Sequence, residues 1–263
     1  MTSEAIVALV MPRRSNSVSF GAARGYFWPA STDNPVRINY LDTKPSTLLN
    51  HSFNRCWAAA LNARDRGRAT HFAMIHDDVC PNGVWVAEFL EILAERDADI
   101  VSAIVPIKDE RGLTSTAVCY GDPWTVRRIT VKESLELPET FGSEDVGGRL
   151  LANTGLWMCD LRKPWCDNIT FNSLERIRVR DGKKEPQVVP EDWLFSFRLH
   201  EILGSPRIYA TRKIPVFHDG QSVQVPSDEA GLWNTDCEYW TETGLAPTSL
   251  VRECKVVMQE AAA

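Results

Sequence analysis

The apolar positions of this chain change period several times in the first hundred residues. Ala5–Val10 is a short, mostly aliphatic run that stops at Pro12, the pattern of a buried strand entering a loop. Val36–Leu41 alternates apolar and polar residues up to Asp42 and predicts a second strand. Between Ser46 and Ala63, Leu49, Phe53, Cys56, Trp57 and Ala60 recur at helical spacing, with Ser46 as the expected N-cap. His71–Ile75 predicts a third strand, ended by His76-Asp77-Asp78. A helix is expected from about Gly83 to Glu95, carried by Val86, Phe89, Leu90 and Leu93, and then a strand over Asp99–Ile107. This order is an α/β pattern and predicts a mainly parallel sheet with helices on its faces.

Beyond Lys108 the texture becomes more antiparallel. Strands are expected at Ser115–Tyr120, Val126–Lys132 and Leu151–Cys159, separated by acidic, turn-rich loops rather than by helices. Ile177–Arg180 and Gln187–Val189 flank Asp181-Gly182, a hairpin signal. Glu191–Leu203 has helical spacing at Phe195, Leu199, Ile202 and Leu203, with Gly204 placed to end it. A last strand is expected over Arg207–Phe217, running into His218; the segment after it shows no readable pattern.

Composition narrows the class. The 263 residues are enough for a sizeable core and a cleft, and 29 basic against 35 acidic residues give a net charge of −6, so nucleic-acid binding would need a local basic patch. The seven cysteines (Cys56, Cys80, Cys119, Cys159, Cys166, Cys237, Cys254) have no metal-binding spacing and are expected to be reduced, buried thiols. No apolar run is long enough to span a membrane, and Pro12-Arg13-Arg14 ends the first one early, so a cytoplasmic location is expected.

Chemistry in such a sheet gathers beyond the carboxyl ends of the strands. Asp42, His76-Asp77-Asp78 and His218 all stand at such ends. Adjacent carboxylates repel each other, and a hard divalent cation relieves the repulsion. Most Asp-Asp pairs are solvated turn residues, but this one follows a buried strand and precedes a Pro-Asn-Gly turn into a helix.

At this point the chain resembles glycosyltransferases of the GT-A fold, in particular family-2-like members of bacterial or phage type. The resemblance is carried by HFAMIHDDVCPNGVWVAEFLEIL followed by ADIVSAIVPIK, by Asn153-Thr154-Gly155-Leu156-Trp157, by Pro190-Glu191-Asp192-Trp193-Leu194-Phe195, and by Ile214-Pro215-Val216-Phe217-His218. It runs from about residue 71 to 220. It implies one GT-A-like, Rossmann-type α/β domain over residues 1–263, with a mixed sheet flanked by helices. Residues 1–108 would bind the nucleotide-sugar, a more antiparallel half, 109–220, would bind the acceptor and carry catalysis, and 221–263 would be an extension.

The activity implied is transfer of a sugar from a nucleotide-sugar, a UDP-sugar before others, to an acceptor hydroxyl, with inversion. The family's Asp-x-Asp falls on His76-Asp77-Asp78 with histidine in place of the first acid; a registration on Asp77-Asp78 stays open. Asp78 inherits the metal-ligand role, with His218 as a second ligand for Mn²⁺ or Mg²⁺, and the mixed oxygen and imidazole set suits Mn²⁺ somewhat better. The ion would stabilise the charge developing on the leaving diphosphate. Asp192 is the expected base, with Glu191 orienting the acceptor or capping the helix, although the helix dipole is expected to lower the Asp192 pKa. Pro12, Arg13, Asp42, Arg55, His76, Asp77 and Lys108 are the donor-binding candidates. Trp57, Trp85 and Trp157 are expected in the core, leaving Trp193, Trp233 and Trp240 for stacking near the acceptor.

Rival readings remain. A nucleotidyltransferase of related fold needs a Gly-rich loop after the first strand, which Met11–Asn16 does not supply. A non-catalytic nucleotide-sugar-binding module is compatible with histidine at position 76. The acceptor is expected to be a saccharide or, alternatively, a hydroxymethylated DNA base. For DNA, a basic flap of Arg176, Arg178, Arg180, Lys183 and Lys184 would meet phosphates, and Trp233, Tyr239 or Trp240 would stack on a flipped base.

Overall fold

The computed structural model describes residues 5–13, 18–30, 36–42, 46–108 and 112–219. Strand β1 (Ile6–Val10) leads into helix α1 (Phe20–Phe27), then β2 (Arg37–Tyr40), α2 (Leu49–Asp65), β3 (His71–Ile75), a short β4 (Val79–Pro81), α3 (Trp85–Glu95) and β5 (Ile100–Ala103). The second half contains β6 (Leu113–Cys119), β7 (Val126–Thr130), α4 (Val131–Glu136), β8 (Thr140–Gly142), α5 (Ser143–Val146), β9 (Arg149–Leu151) and β10 (Leu156–Asp160). A 3-10 turn at Pro164–Asn168 precedes β11 (Leu174–Arg180), β12 (Lys183–Val189), α6 (Glu191–Leu203), β13 (Ile208–Thr211) and β14 (Val216–His218).

The fold is a mixed α/β sheet flanked by helices. Seven strands run in the order β2-β1-β3-β10-β5-β13-β8. β1, β2 and β3 are parallel, as are β5 and β13, but β10 is antiparallel to both β3 and β5 and separates them. The expectation of a mainly parallel sheet is corrected there: β10, from the second half of the chain, inserts antiparallel between β3 and β5. Three small antiparallel sheets complete the fold: β14-β4, β7-β6-β9 and the ribbon β11-β12.

The core sits on both faces of the large sheet, which is why its strands read as continuous apolar runs rather than alternations. In β3, Phe72 and Met74 face one apolar cluster, with Trp57, Trp157 and Phe195, while Ala73 and Ile75 face the other, with Trp85 and Phe89. Period-two alternation thus splits each central strand between two cores. Trp57, Trp85 and Trp157 are core, as expected; Trp193 also is, its indole N–H donating to Ser115 O at 3.0 Å, which corrects its assignment as an acceptor-stacking surface.

Several boundaries shift. Helix α1, capped by the Ser19 hydroxyl, lies in a segment expected to be a loop, and helix α4, opened by a capping box between Thr130 and Glu133, takes over Val131 and Lys132 of the expected strand Val126–Lys132 and the loop after it. Ser46 does not cap α2: the helix starts at Leu49 without a side-chain cap, and the Ser46 hydroxyl accepts from Leu48 N instead. The expected strand Leu151–Cys159 is two strands broken at the buried Asn153-Thr154-Gly155, and Pro215 lies between the two strands in place of one over Arg207–Phe217. Cys56, Cys119, Cys159 and Cys166 are buried and Cys80 is half-buried, none of the five in a disulfide; Cys237 and Cys254 lie outside the described residues. Among the described residues no helix is long and apolar enough to cross a membrane.

Candidate functional site

The site is built where β3 ends. His76, Asp77 and Asp78 follow the last buried residue of β3, and β4 begins immediately after them. β4 pairs antiparallel with β14, so that His218 lies opposite Val79, and Asp219 N donates to Asp78 O at 2.8 Å. This small sheet delivers a histidine from the far end of the described chain to Asp78. The imidazole Nδ1 contacts Pro106 O at 2.6 Å, and Nε2 lies 3.6 Å from Asp78 Oδ1. The Lys108 ammonium donates to Asp78 Oδ2 at 2.5 Å.

Burial by itself raises the Asp78 pKa, but the contacts from His218 and Lys108 outweigh it and hold the carboxyl well below the usual range. Asp78 is therefore ionised at neutral pH. With its Nδ1 held by the backbone carbonyl of Pro106, the His218 ring presents Nε2 to the carboxylate, as a proton donor to Asp78 or, once that proton has left, as a lone pair for a cation seated between them. A carboxylate oxygen and an imidazole nitrogen face one gap, a donor pair of a kind that can hold a divalent cation. Among the described residues no group of three or more His, Cys, Asp or Glu side chains is placed to hold a metal ion.

A cleft of about 180 Å³ opens beside this pair, lined by Pro12, Arg13, Ser46, Leu49, Ser52, Phe53 and His76–Asp78. Two of its side-chain atoms, His76 Nε2 and Ser52 Oγ, are buried without a hydrogen-bond partner. Unpartnered buried polar atoms are costly, and a polar group that reached these two from the cleft would relieve that cost. Burial lowers the His76 pKa to about 4, so its ring is neutral and can accept or donate one hydrogen bond there. Ser52 was not a candidate from sequence. The signal was present in a weak form, a hydroxyl on the buried stripe of α2 between Leu49 and Cys56.

A second cavity of about 380 Å³ lies across the edge of the sheet, lined by Met11, Tyr26, Phe27, Tyr40, Leu41 and Asp42 among others. Arg13 borders both cavities and pairs with Asp42 at 3.2 Å. Tyr26 and Tyr40 meet edge to face at 5.2 Å, and burial, aided by Tyr40, pushes the Tyr26 phenol up to about 12. Of the donor candidates, Pro12, Arg13, Asp42, His76 and Asp77 line one or other of these two cavities and Lys108 contacts Asp78. Arg55 is half-buried on α2 and lines neither.

Asp192 opens α6, where Asp192 Oδ1 accepts from Trp193 N at 2.8 Å. Its pKa is not lowered by the helix dipole, as expected from sequence, but pushed up to about 7: burial and the neighbouring Glu191 outweigh Arg128 and the backbone bonds. Arg128 lies 4.5 Å over the Trp193 ring and donates to Thr114 O at 3.1 Å. The segment between β9 and β10 links this helix to the cleft: Ser196 Oγ, one turn past Asp192, bonds Ala152 N at 3.0 Å, and Gly155 O accepts from His76 N at 2.9 Å. In the basic hairpin Arg176 lies 4.1 Å over Trp124 and Arg178 pairs with Glu185 at 3.3 Å, while Arg180 is exposed near the tip. Trp233, Tyr239 and Trp240 lie outside the described residues.

No protein-family model matches the chain, and no curated protein matches its sequence. Among solved structures, A197 from STIV superposes with a TM-score of 0.51 at 14% identity, over 84% of this chain and 90% of that one, a likeness of fold. The uridine diphosphate N-acetylglucosamine pyrophosphorylase from Trypanosoma brucei, in complex with an inhibitor, superposes with a TM-score of 0.31 at 12% identity, over 57% of this chain and 31% of that one.

Proposed function

We propose that this protein is a glycosyltransferase of GT-A type that moves a sugar from a nucleotide-sugar to an acceptor hydroxyl with inversion. The observation that carries the reading is the pair at the end of β3: the His218 ring, anchored through Nδ1 on Pro106 O, faces an ionised Asp78 at 3.6 Å beside a cleft with two unpartnered polar atoms. Asp78 and His218 would hold Mn²⁺ or Mg²⁺ on the diphosphate, and the ion would supply Lewis-acid stabilisation of the leaving group.

The chain's own groups do the rest. Lys108, already on Asp78, adds a second positive charge beside the diphosphate, and Arg13 is placed between the two cavities to bridge base and phosphates. The aromatic walls of Tyr26, Phe27 and Tyr40 suit a nucleobase, with Asp42 at its edge. His76 and Ser52 offer hydrogen bonds to the ribose or sugar. The acceptor oxygen attacks the anomeric carbon, the bond to the diphosphate breaks, and Asp192 takes the hydroxyl proton. A carboxyl poised at about 7 is a far better base at neutral pH than an ordinary aspartate. Glu191 raises that value and stands ready to orient the acceptor.

The test is release of nucleoside diphosphate from a panel of nucleotide-sugars, offered with neutral saccharides and with hydroxymethylated DNA. Turnover with Mn²⁺ or Mg²⁺ and none with a chelator is expected. Donor binding without turnover on any acceptor would instead favour a non-catalytic module.

A further inference from the structure

The ribbon of β11 and β12 has one face covered and one bare. Directly paired residues of antiparallel strands share a face, so the register sets Leu174, Arg176, Arg178, Gln187 and Val189 on one side and Glu175, Ile177, Val179, Lys184, Pro186 and Val188 on the other. The first side is fastened to the body: Arg176 stacks on Trp124, the Gln187 amide donates to Trp124 O at 3.3 Å, and Val189 is buried. On the second side Ile177, Val179 and Val188 are 66%, 68% and 55% exposed. A contiguous apolar face on an isolated two-stranded ribbon is unusual, because such a ribbon gains little stability alone and an exposed apolar patch favours association.

Two features of the ribbon identify the occupant. Pro186, in the middle of β12, has no N–H to offer a further strand, so extension along that edge is disfavoured while the face stays open. The apolar stripe is also bounded by opposite charges, Lys184 beside Val179 near the tip and Glu175 beside Val188 at the base. If two copies stack face to face in parallel, each Lys184 meets its own equivalent. If they stack antiparallel about a two-fold axis, each Lys184 meets Glu175 of the partner subunit, at both ends of the stripe.

We propose that the protein self-associates through this face, two ribbons packing antiparallel with Ile177, Val179, Pro186 and Val188 at the centre and Lys184–Glu175 pairs at the two ends. The face is self-complementary in both hydrophobicity and charge, which marks a second copy of this chain as its partner. Two seven-residue strands offer less than the roughly 800 Å² per partner of a standard interface. The dimer is therefore concentration-dependent.

Sedimentation velocity on the full chain, from low micromolar to near-millimolar concentration, tests this. The weight-average mass should climb from one chain toward two as concentration rises. I177D, at an exposed position where folding is not at stake, should weaken association by about 100-fold or more by placing a charge in the apolar centre. E175K and K184E should each weaken it about tenfold, because each sets like charges opposite one another, and the double variant E175K/K184E should recover most of the loss. A wild-type chain that stays single at every concentration would overturn the proposal. So would I177D associating like the wild type, or a double swap no better than either single change.

Discussion

Asp78 and Asp192 are each the second acid of an adjacent acidic pair, Asp77-Asp78 and Glu191-Asp192, and both are partly buried, yet their pKa values move in opposite directions. Burial raises both. At Asp78, Lys108 from the loop after β5 and His218 from β14 contact the carboxylate and outweigh burial. At Asp192, Arg128 is committed to the Trp193 face and to Thr114 O, and its attraction falls short of offsetting burial and Glu191. One carboxylate is thereby kept as a permanent anion, suited to a cation, and the other is poised to exchange a proton near neutrality. Two like groups driven apart by their surroundings are the usual sign of divided chemical labour.

The largest expected effect comes from breaking the Asp78 side. D78N removes one of the two proposed cation ligands and leaves Lys108 without its partner, so turnover should fall by ~10³-fold, with loss of cation-dependent nucleoside diphosphate binding by calorimetry. Wild-type rates in D78N would refute the metal pair. Breaking the Asp192 side should be milder and cleaner: D192N should lose ~10²-fold in turnover while donor affinity holds, since the cleft is untouched. If donor affinity collapses instead, Asp192 belongs to donor binding.

A pH series sharpens the comparison. Turnover limited by Asp192 ionisation should rise with pH around the value of about 7. E191Q removes a like charge and should move that limb to lower pH, whereas R128M removes an opposing cation and should move it higher; a limb indifferent to both would assign it to another group. The smallest effect is on stability. Because the folded-state pKa of Asp192 is raised from 3.8 to about 7, the native state keeps a proton that the unfolded chain has lost, and stability declines as pH rises across that window. D192N escapes this decline, so its melting temperature should gain on the wild type by roughly a few degrees between pH 4 and 8. An unchanged difference between those two pH values would show that Asp192 titrates normally.

Much of the scaffold was legible because periodic burial leaves a trace in the chain. The stripe Leu49–Ala60, the runs of β1 and β3, and helix α6 with Gly204 at a φ of 73° beyond its end follow from spacing and from glycine's tolerance of that backbone. Helix α1 was hidden because glycines rather than large apolar residues make its contact face. A Cβ at Gly21 would come 2.5 Å from Cys80 Sγ, and one at Gly25 the same distance from Pro81 Cγ, so this helix packs by close approach. Helix α4 is one short turn and a half, marked by a capping box and no apolar period. The inserted, reversed β10 could not be read either, since a strand buried on both faces looks the same in either direction.

Residue order alone therefore determined which segments bury themselves, and it placed the acidic pairs at a strand end and a helix start, because periodicity and capping are local properties. It left undecided which distant groups would face those acids. Only the tertiary structure set His218 and Lys108 on Asp78, left Ser52 and His76 unpartnered in one cleft, and laid Arg176 of the hairpin on Trp124 with the apolar face outward. Those outcomes depend on strand pairing between remote parts of the chain, and the field at a carboxylate is set by whatever that pairing brings within a few ångströms of it.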